Sequence, residues 1–192
     1  DQPGTSGPVY AGALVMMLFV LGLFIVKGPM KWALLGATIL SIMLSWGRTF
    51  MGLTDFFIDY VPMCNKFRTV SSILVVAEFT IPLLAALTVK ELIQKPQILR
   101  ENMRPLYYSV GLTAGIALLF SVLPRLFFSS FIPMSEMQGL QSLPSEHIQP
   151  IIANIEEMRI AMFTTDAWRS AAFILAGAFM IWWFIKNRIK PQ

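Results

Sequence analysis

The sequence predicts an all-α polytopic membrane bundle of about five transmembrane helices with an external amphipathic helix. Three observations predict it. Hydrophobic residues make up 56% of the chain and charged residues only 14%, at a mean hydropathy of +0.65, which excludes an ordinary soluble domain. Long uncharged runs recur, each near the ~20 residues that a ~30 Å hydrocarbon core demands of a helix. Basic residues collect between those runs, where they report topology rather than an anionic partner, and no nucleic-acid motif accompanies them.

Residues 1–8 hold two Pro and two Gly and read as a connection. The chain begins at Asp1 without an initiator methionine or a charged leader, so it is expected to be a piece of a longer polypeptide. The first span, 9–26, ends at the tight basic turn Lys27-Gly-Pro-Met-Lys31, and the second, 32–46, returns. An external loop, 47–68, is too polar for lipid yet carries Phe56, Phe57, Ile58, Tyr60 and Val61, suited to a short interfacial helix stopped by Pro62. The third span, 69–89, has Glu78 as its one ionisable side chain. Pro105 opens a fourth span, 106–123, ended by Pro124.

A second external loop, 124–166, contains an amphipathic helix whose apolar stripe is Ile151, Ile155, Met158 and Met162, set against Asn154, Glu156, Glu157 and Arg159. Thr165 or Asp166 then caps a fifth span, 167–185, with Trp182 and Trp183 at its far interface. Lys27, Lys31, Lys90, Lys95, Arg100, Arg104, Lys186, Arg188 and Lys190 fall on one side of the five spans. Arg48, Lys66, Arg68, Arg125, Arg159 and Arg169 fall on the other. The positive-inside rule places the amino end outside and the carboxyl end in the cytoplasm.

Glu78 is the chemically pointed residue of the spans. A carboxylate inside lipid costs about 2.5–3.5 kcal/mol on insertion scales, so it is expected to face other helices, to find a polar partner or to be protonated. Pro82, four residues on, has no N–H for the Glu78 carbonyl, and spacing puts Ser71, Pro82 and Ala85 on the same face. The side chain either locks helix packing or lines a ligand or proton path.

The external loop holds Asp55 and Asp59, four apart and facing one way on a helix, where a cation between them would relieve repulsion. Lys66, Arg68 or a divalent metal fits that role, although a metal needs more oxygen ligands than these two supply, and no metal or cofactor site is otherwise evident. Arg68, with Lys66 and Asn65 beside it at the mouth of the Glu78 helix, is placed either to grip a lipid phosphate or to anchor the span by snorkelling. Asp166 and Arg169 form a second external pair, explained by the first turn of a helix alone. His147 and the single Cys64 have no partners in ligand or nucleophile spacing.

The run Asp-Tyr-Val-Pro-Met-Cys-Asn-Lys-Phe-Arg-Thr-Val resembles the YfhO family of large bacterial membrane proteins, through Pro62, Phe67 and Arg68 ahead of a hydrophobic helix. The opening Gly-Pro-Val-Tyr-Ala-Gly-Ala and the Phe-Ile-Asp-Tyr segment look similar to the same family. The resemblance implies a fold like that of the C-type glycosyltransferases, multi-spanning enzymes of the bacterial cytoplasmic membrane that use a polyprenyl-phosphate-linked sugar for cell-envelope glycans. In those enzymes the catalytic acid belongs to a first external loop near the amino end, so this chain corresponds to a carboxyl-side portion, and Asp55 and Asp59 are not promoted to catalytic acids. Thr69 departs from the Pro that many relatives carry after the Arg. Two other functions stay open: a transporter or lipid flippase with Glu78 lining its pathway, and a non-catalytic membrane scaffold that docks partners through the amphipathic helix.

Overall fold

A computed structural model describes residues 11–45, 73–124 and 145–187. Every regular element among them is a helix: α1 (Ala13–Ile25), α2 (Met30–Ser45), α3 (Leu74–Gln94), the short α4 (Gln97–Glu101), α5 (Arg104–Val122) and α6 (Ser145–Asn187). The expected all-α class therefore holds for these residues.

The hub is α1, because it has no polar residue on any face and a helix of that kind is stable only when surrounded. It packs against α3, α5 and α6, and its Met17 and Leu21 are fully buried. Two close approaches make this packing tight. A Cβ on Gly22 of α1 would collide with Thr88 Oγ1 and crowd Leu84 of α3, and one on Gly177 of α6 would collide with Leu14 of α1. Small residues at such crossings let helix backbones approach, which is how helices associate when no water is being expelled.

The reversal into α2 is built from its sequence. Gly28 takes a left-handed φ of 108°, Pro29 follows, and the Lys31 ammonium donates to the Leu23 carbonyl at 2.8 Å, satisfying an acceptor left over at the end of α1. The next helix docks on α3 through Leu34, Thr38, Ser41 and Leu44. Thr38 Oγ1 donates to the Leu34 carbonyl at 2.8 Å, so its 2.7 Å contact with Thr80 Oγ1 takes the proton of Thr80. Ser41 Oγ donates to the Ile73 carbonyl at 2.5 Å.

These pairings fix the helix directions. Residue numbers rise on α2 as they fall on α3, from Thr38 with Thr80 to Ser41 with Ile73. Between α1 and α5, Phe24 stacks near Tyr108 while Met17 clusters with Ala114; between α5 and α6, Phe120 meets Phe163 while Ala114 clusters with Ile174. So α1, α3 and α6 run one way and α2 and α5 the other. The bases Lys27, Lys31, Lys90, Lys95, Arg100, Arg104 and Lys186 thereby gather at one end of the bundle.

The outer surface is apolar where a soluble domain is polar, and hydroxyl residues lie within the apolar core. Thr38, Ser41, Thr80, Thr88 and Ser109 are buried, while Trp32 is 65%, Phe79 68% and Tyr107 64% exposed. The buried hydroxyls of Thr88 and Ser109 return to carbonyls of their own helices, at 2.8 Å to Leu84 and 3.0 Å to Leu106. Two of the described helices are long and apolar enough to cross a membrane, α5 and the Ile151–Asn187 part of α6. The apolar helices α1 and α2 are shorter, at 13 and 16 residues, and α3, 21 residues long, includes Glu78, Lys90 and Glu91.

Pro105 lies in the first turn of α5 as expected, with Asn102 Oδ1 accepting from the Arg104 N–H at 3.1 Å, and the helix stops at Val122, ahead of Pro124. The expected break before a fifth span does not occur. One helix of 43 residues, roughly 65 Å at 1.5 Å per residue, joins the amphipathic run to the apolar one. Thr165 and Asp166 are not caps: the hydroxyls of Thr164 and Thr165 both turn back to the Ala161 carbonyl, at 3.0 and 2.7 Å, a bond available only inside a continuous helix. The packed stripe is corrected too. Ile151, Ile155, Ile160, Phe163 and Ala167 are partly buried, whereas Met158 and Met162 face outward.

Candidate functional site

Glu78 stands on α3 beside a buried face made by Ala77, Thr80, Ile81, Leu84, Ala85 and Thr88. Its own side chain is exposed, as is that of Pro82, while Ala85 of the expected shared face is buried. Ala85 turns inward because the stripe drifts around the helix, and Glu78 sits at the border that the stripe leaves behind. Among the described residues Glu78 has no hydrogen-bond or ion-pair partner, and its side chain lies on the outer side of α3. Lys90, the first base along the same helix, is twelve residues or roughly 18 Å away.

Asn65, Lys66 and Arg68, the acids Asp55 and Asp59, and the motif residues Pro62 and Phe67 lie outside the described residues, as does Ser71. Among those described, no three His, Cys, Asp or Glu side chains converge as a metal site would require.

The Asp166–Arg169 pair read from the sequence is formed. Arg169 Nη1 donates to Asp166 Oδ1 at 3.2 Å, three residues apart on α6 and largely exposed, an arrangement that contributes about 0–1 kcal/mol to stability and leaves further guanidinium N–H donors for a second anion. Its surroundings could not be foreseen. An apolar groove between α1, α5 and α6 is lined by Met16, Ile116, Phe120, Phe163, Ala167 and Ile174, and it adjoins a polar hollow of Asp166, Arg169, Ser170 and Phe173. Asp166 and Ser170 line both, so the hollow and the groove share a wall on α6. A long hydrocarbon with an anionic head matches this sequence of surfaces: methyl and aromatic groups along the tail, and a planar donor fork at the head.

Other contacts that organise the bundle were not singled out from the sequence, namely Thr38 with Thr80, Gly22 with Thr88 and Leu14 with Gly177. Their signal was faint: Thr38 and Ser41 stand three apart on α2, but Thr80 and Thr88 are eight apart and Gly22 and Gly177 are the single glycines of α1 and α6. Comparison with protein-family models, with curated proteins and with solved structures finds no match to this chain.

Proposed function

We propose that this chain is a carboxyl-side part of the membrane domain of a lipid-linked sugar transferase, in which it holds the polyprenyl-phosphate carrier and does not supply the catalytic acid. The observation that supports the reading best is the apolar groove between α1, α5 and α6 that ends at the Asp166–Arg169 pair. In this reading α1, α2, α3, α5 and α6 cross the bacterial cytoplasmic membrane in alternate directions, with the basic end in the cytoplasm and Arg169 near the outer boundary. The prenyl tail lies along Met16, Ile116 and Phe163, and Arg169 offers its remaining donors to the phosphate.

Arg68, the residue that the family resemblance points to, is the second anion contact, with Lys66 and Asn65 beside it. Asp166 steers Arg169 through their hydrogen bond and limits it to one face, a positioning part. The reading is tested in cells with the full-length protein. Arg169→Ala and Arg68→Ala each abolish the envelope glycan at unchanged protein level, and Arg169→Lys, which keeps the charge and loses the fork, restores only part of it. Wild-type glycan in both alanine variants would remove the proposal.

A further inference from the structure

We infer that the crevice between α1, α3 and α6, which reaches the basic end of the bundle at Ile93 and Phe184, binds an anionic diacyl phospholipid whose headgroup lies on Lys90 and Lys186. The inference needs the membrane setting of the proposed function and not the carrier. Leu14 and Leu18 of α1, Leu92 and Ile93 of α3, and Met180 and Phe184 of α6 wall the crevice, and no polar side chain is among its described lining residues. Its dimensions decide what fills it. From Gly177 to Phe184 it runs roughly 10 Å along α6, so its volume of about 320 Å³ gives a mean section of roughly 30 Å². A helix about 10 Å across fills roughly 80 Å². The crevice is therefore too narrow to seat a helix between its walls, and it takes a hydrocarbon chain.

A second apolar surface lies across the ridge of Met180 and Phe184, completed by Phe179 and Trp183, whose rings stand 6.0 Å apart. Two acyl chains of one lipid can straddle that ridge. The aromatic residues mark where its headgroup comes. Trp32, Tyr107, Tyr108 and Trp183 are exposed and all stand at the basic end, as the aromatic belt of a membrane protein does at the water boundary. Ammonium groups share that level: Lys31 lies over Trp32 at 5.5 Å and Lys186 over Trp182 at 4.8 Å. Lys90, between Val89 and Ile93 of the crevice wall, is exposed, and no described residue pairs with it. Glu91 is already paired with Lys95 at 3.4 Å, and the described bases at this end outnumber the acids by seven to two. A net negative phosphate complements such a surface, as basic pockets between helices on the cytoplasmic side do with anionic lipids.

The test uses the full-length protein in phosphatidylcholine nanodiscs that contain a small fraction of phosphatidylglycerol with a diazirine in one acyl chain. Phosphatidylcholine bearing the same chain is the comparison, and mass spectrometry locates the label. Phosphatidylglycerol is expected to label the segments around Leu18, Ile93 and Met180 severalfold more. That excess falls to parity in Lys90→Gln with Lys186→Gln, where retained labelling by phosphatidylcholine shows the crevice intact. It stands in Arg104→Gln, a base of the same end on α5, which walls neither surface. Ile93→Trp, which fills the crevice from an exposed position, lowers labelling at Leu18 by both lipids. Arg169→Ala leaves the labelling unchanged, so the carrier reading can fail without taking this one with it. Equal labelling by the two lipids, an excess that survives the double lysine change, or an excess that Arg104→Gln also removes each overturns the inference. So does displacement of the label by polyprenyl phosphate and not by unlabelled phosphatidylglycerol.

Discussion

Gly22 of α1 lies against Thr88 of α3 so closely that a methyl group on the glycine would take the space of the threonine hydroxyl. Thr88 cannot swing aside freely, because that hydroxyl is bonded to the Leu84 carbonyl at 2.8 Å. Gly22→Ala is therefore expected to destabilise the bundle by about 1–3 kcal/mol through overpacking, and Thr88→Ala in the same chain to recover part of the loss. Unfolding in detergent micelles with a double-mutant cycle measures both; additivity of the two changes would show that the contact is not tight.

The buried Thr38–Thr80 pair should behave as membrane hydrogen bonds do, with modest coupling. Thr38→Val and Thr80→Val, singly and together, are expected to give an interaction energy of roughly 0.6 kcal/mol, since each hydroxyl keeps a carbonyl of its own helix to fall back on. A value near zero would mean that the two helices are held by shape alone.

Continuity of α6 is measurable as a length. Spin labels at Met158 and Leu175, both exposed and seventeen residues apart, are expected to give one narrow distance near roughly 26 Å along the rise of an α-helix. A broad or much shorter distribution would restore the break that the sequence suggested at Thr165. Thr165→Pro should produce such a break, at about 3 kcal/mol or more.

Sidedness follows from the basic end. With Cys64→Ser as background, a cysteine at Lys95 is expected to react with an impermeant maleimide only after the cells are opened, and one at Arg159 in intact cells. The opposite pattern would invert the proposed topology and remove Arg169 from the outer face.

Much of the architecture was legible where a single residue type decides the backbone. Pro105, Pro124, and the Gly28-Pro29 pair between two lysines mark ends and turns by sterics alone, and helices form where they allow. The Asp166–Arg169 pair was legible because three-residue spacing on a helix fixes the distance. The continuity of α6 was not, since the preference of Thr and Asp for a cap over a helix interior is only about 1 kcal/mol, and within the helix the threonine hydroxyls return to the Ala161 carbonyl. The inward face of α3 was also hidden, because Glu78 and Ala85 lie within one narrow angular sector and only the position of α1 and α2 decides which of them is covered. The groove beside Arg169 depends on three helices meeting, which no local pattern encodes.

The uninterrupted α6 has a mechanical meaning. From Asp166 back to Ser145 it extends roughly 32 Å as a stiff rod, while its other half is wedged beside α1 at Ile174 and Gly177. Without a hinge between tip and wedge, a tug at the far end is delivered undiminished to the hollow at Arg169.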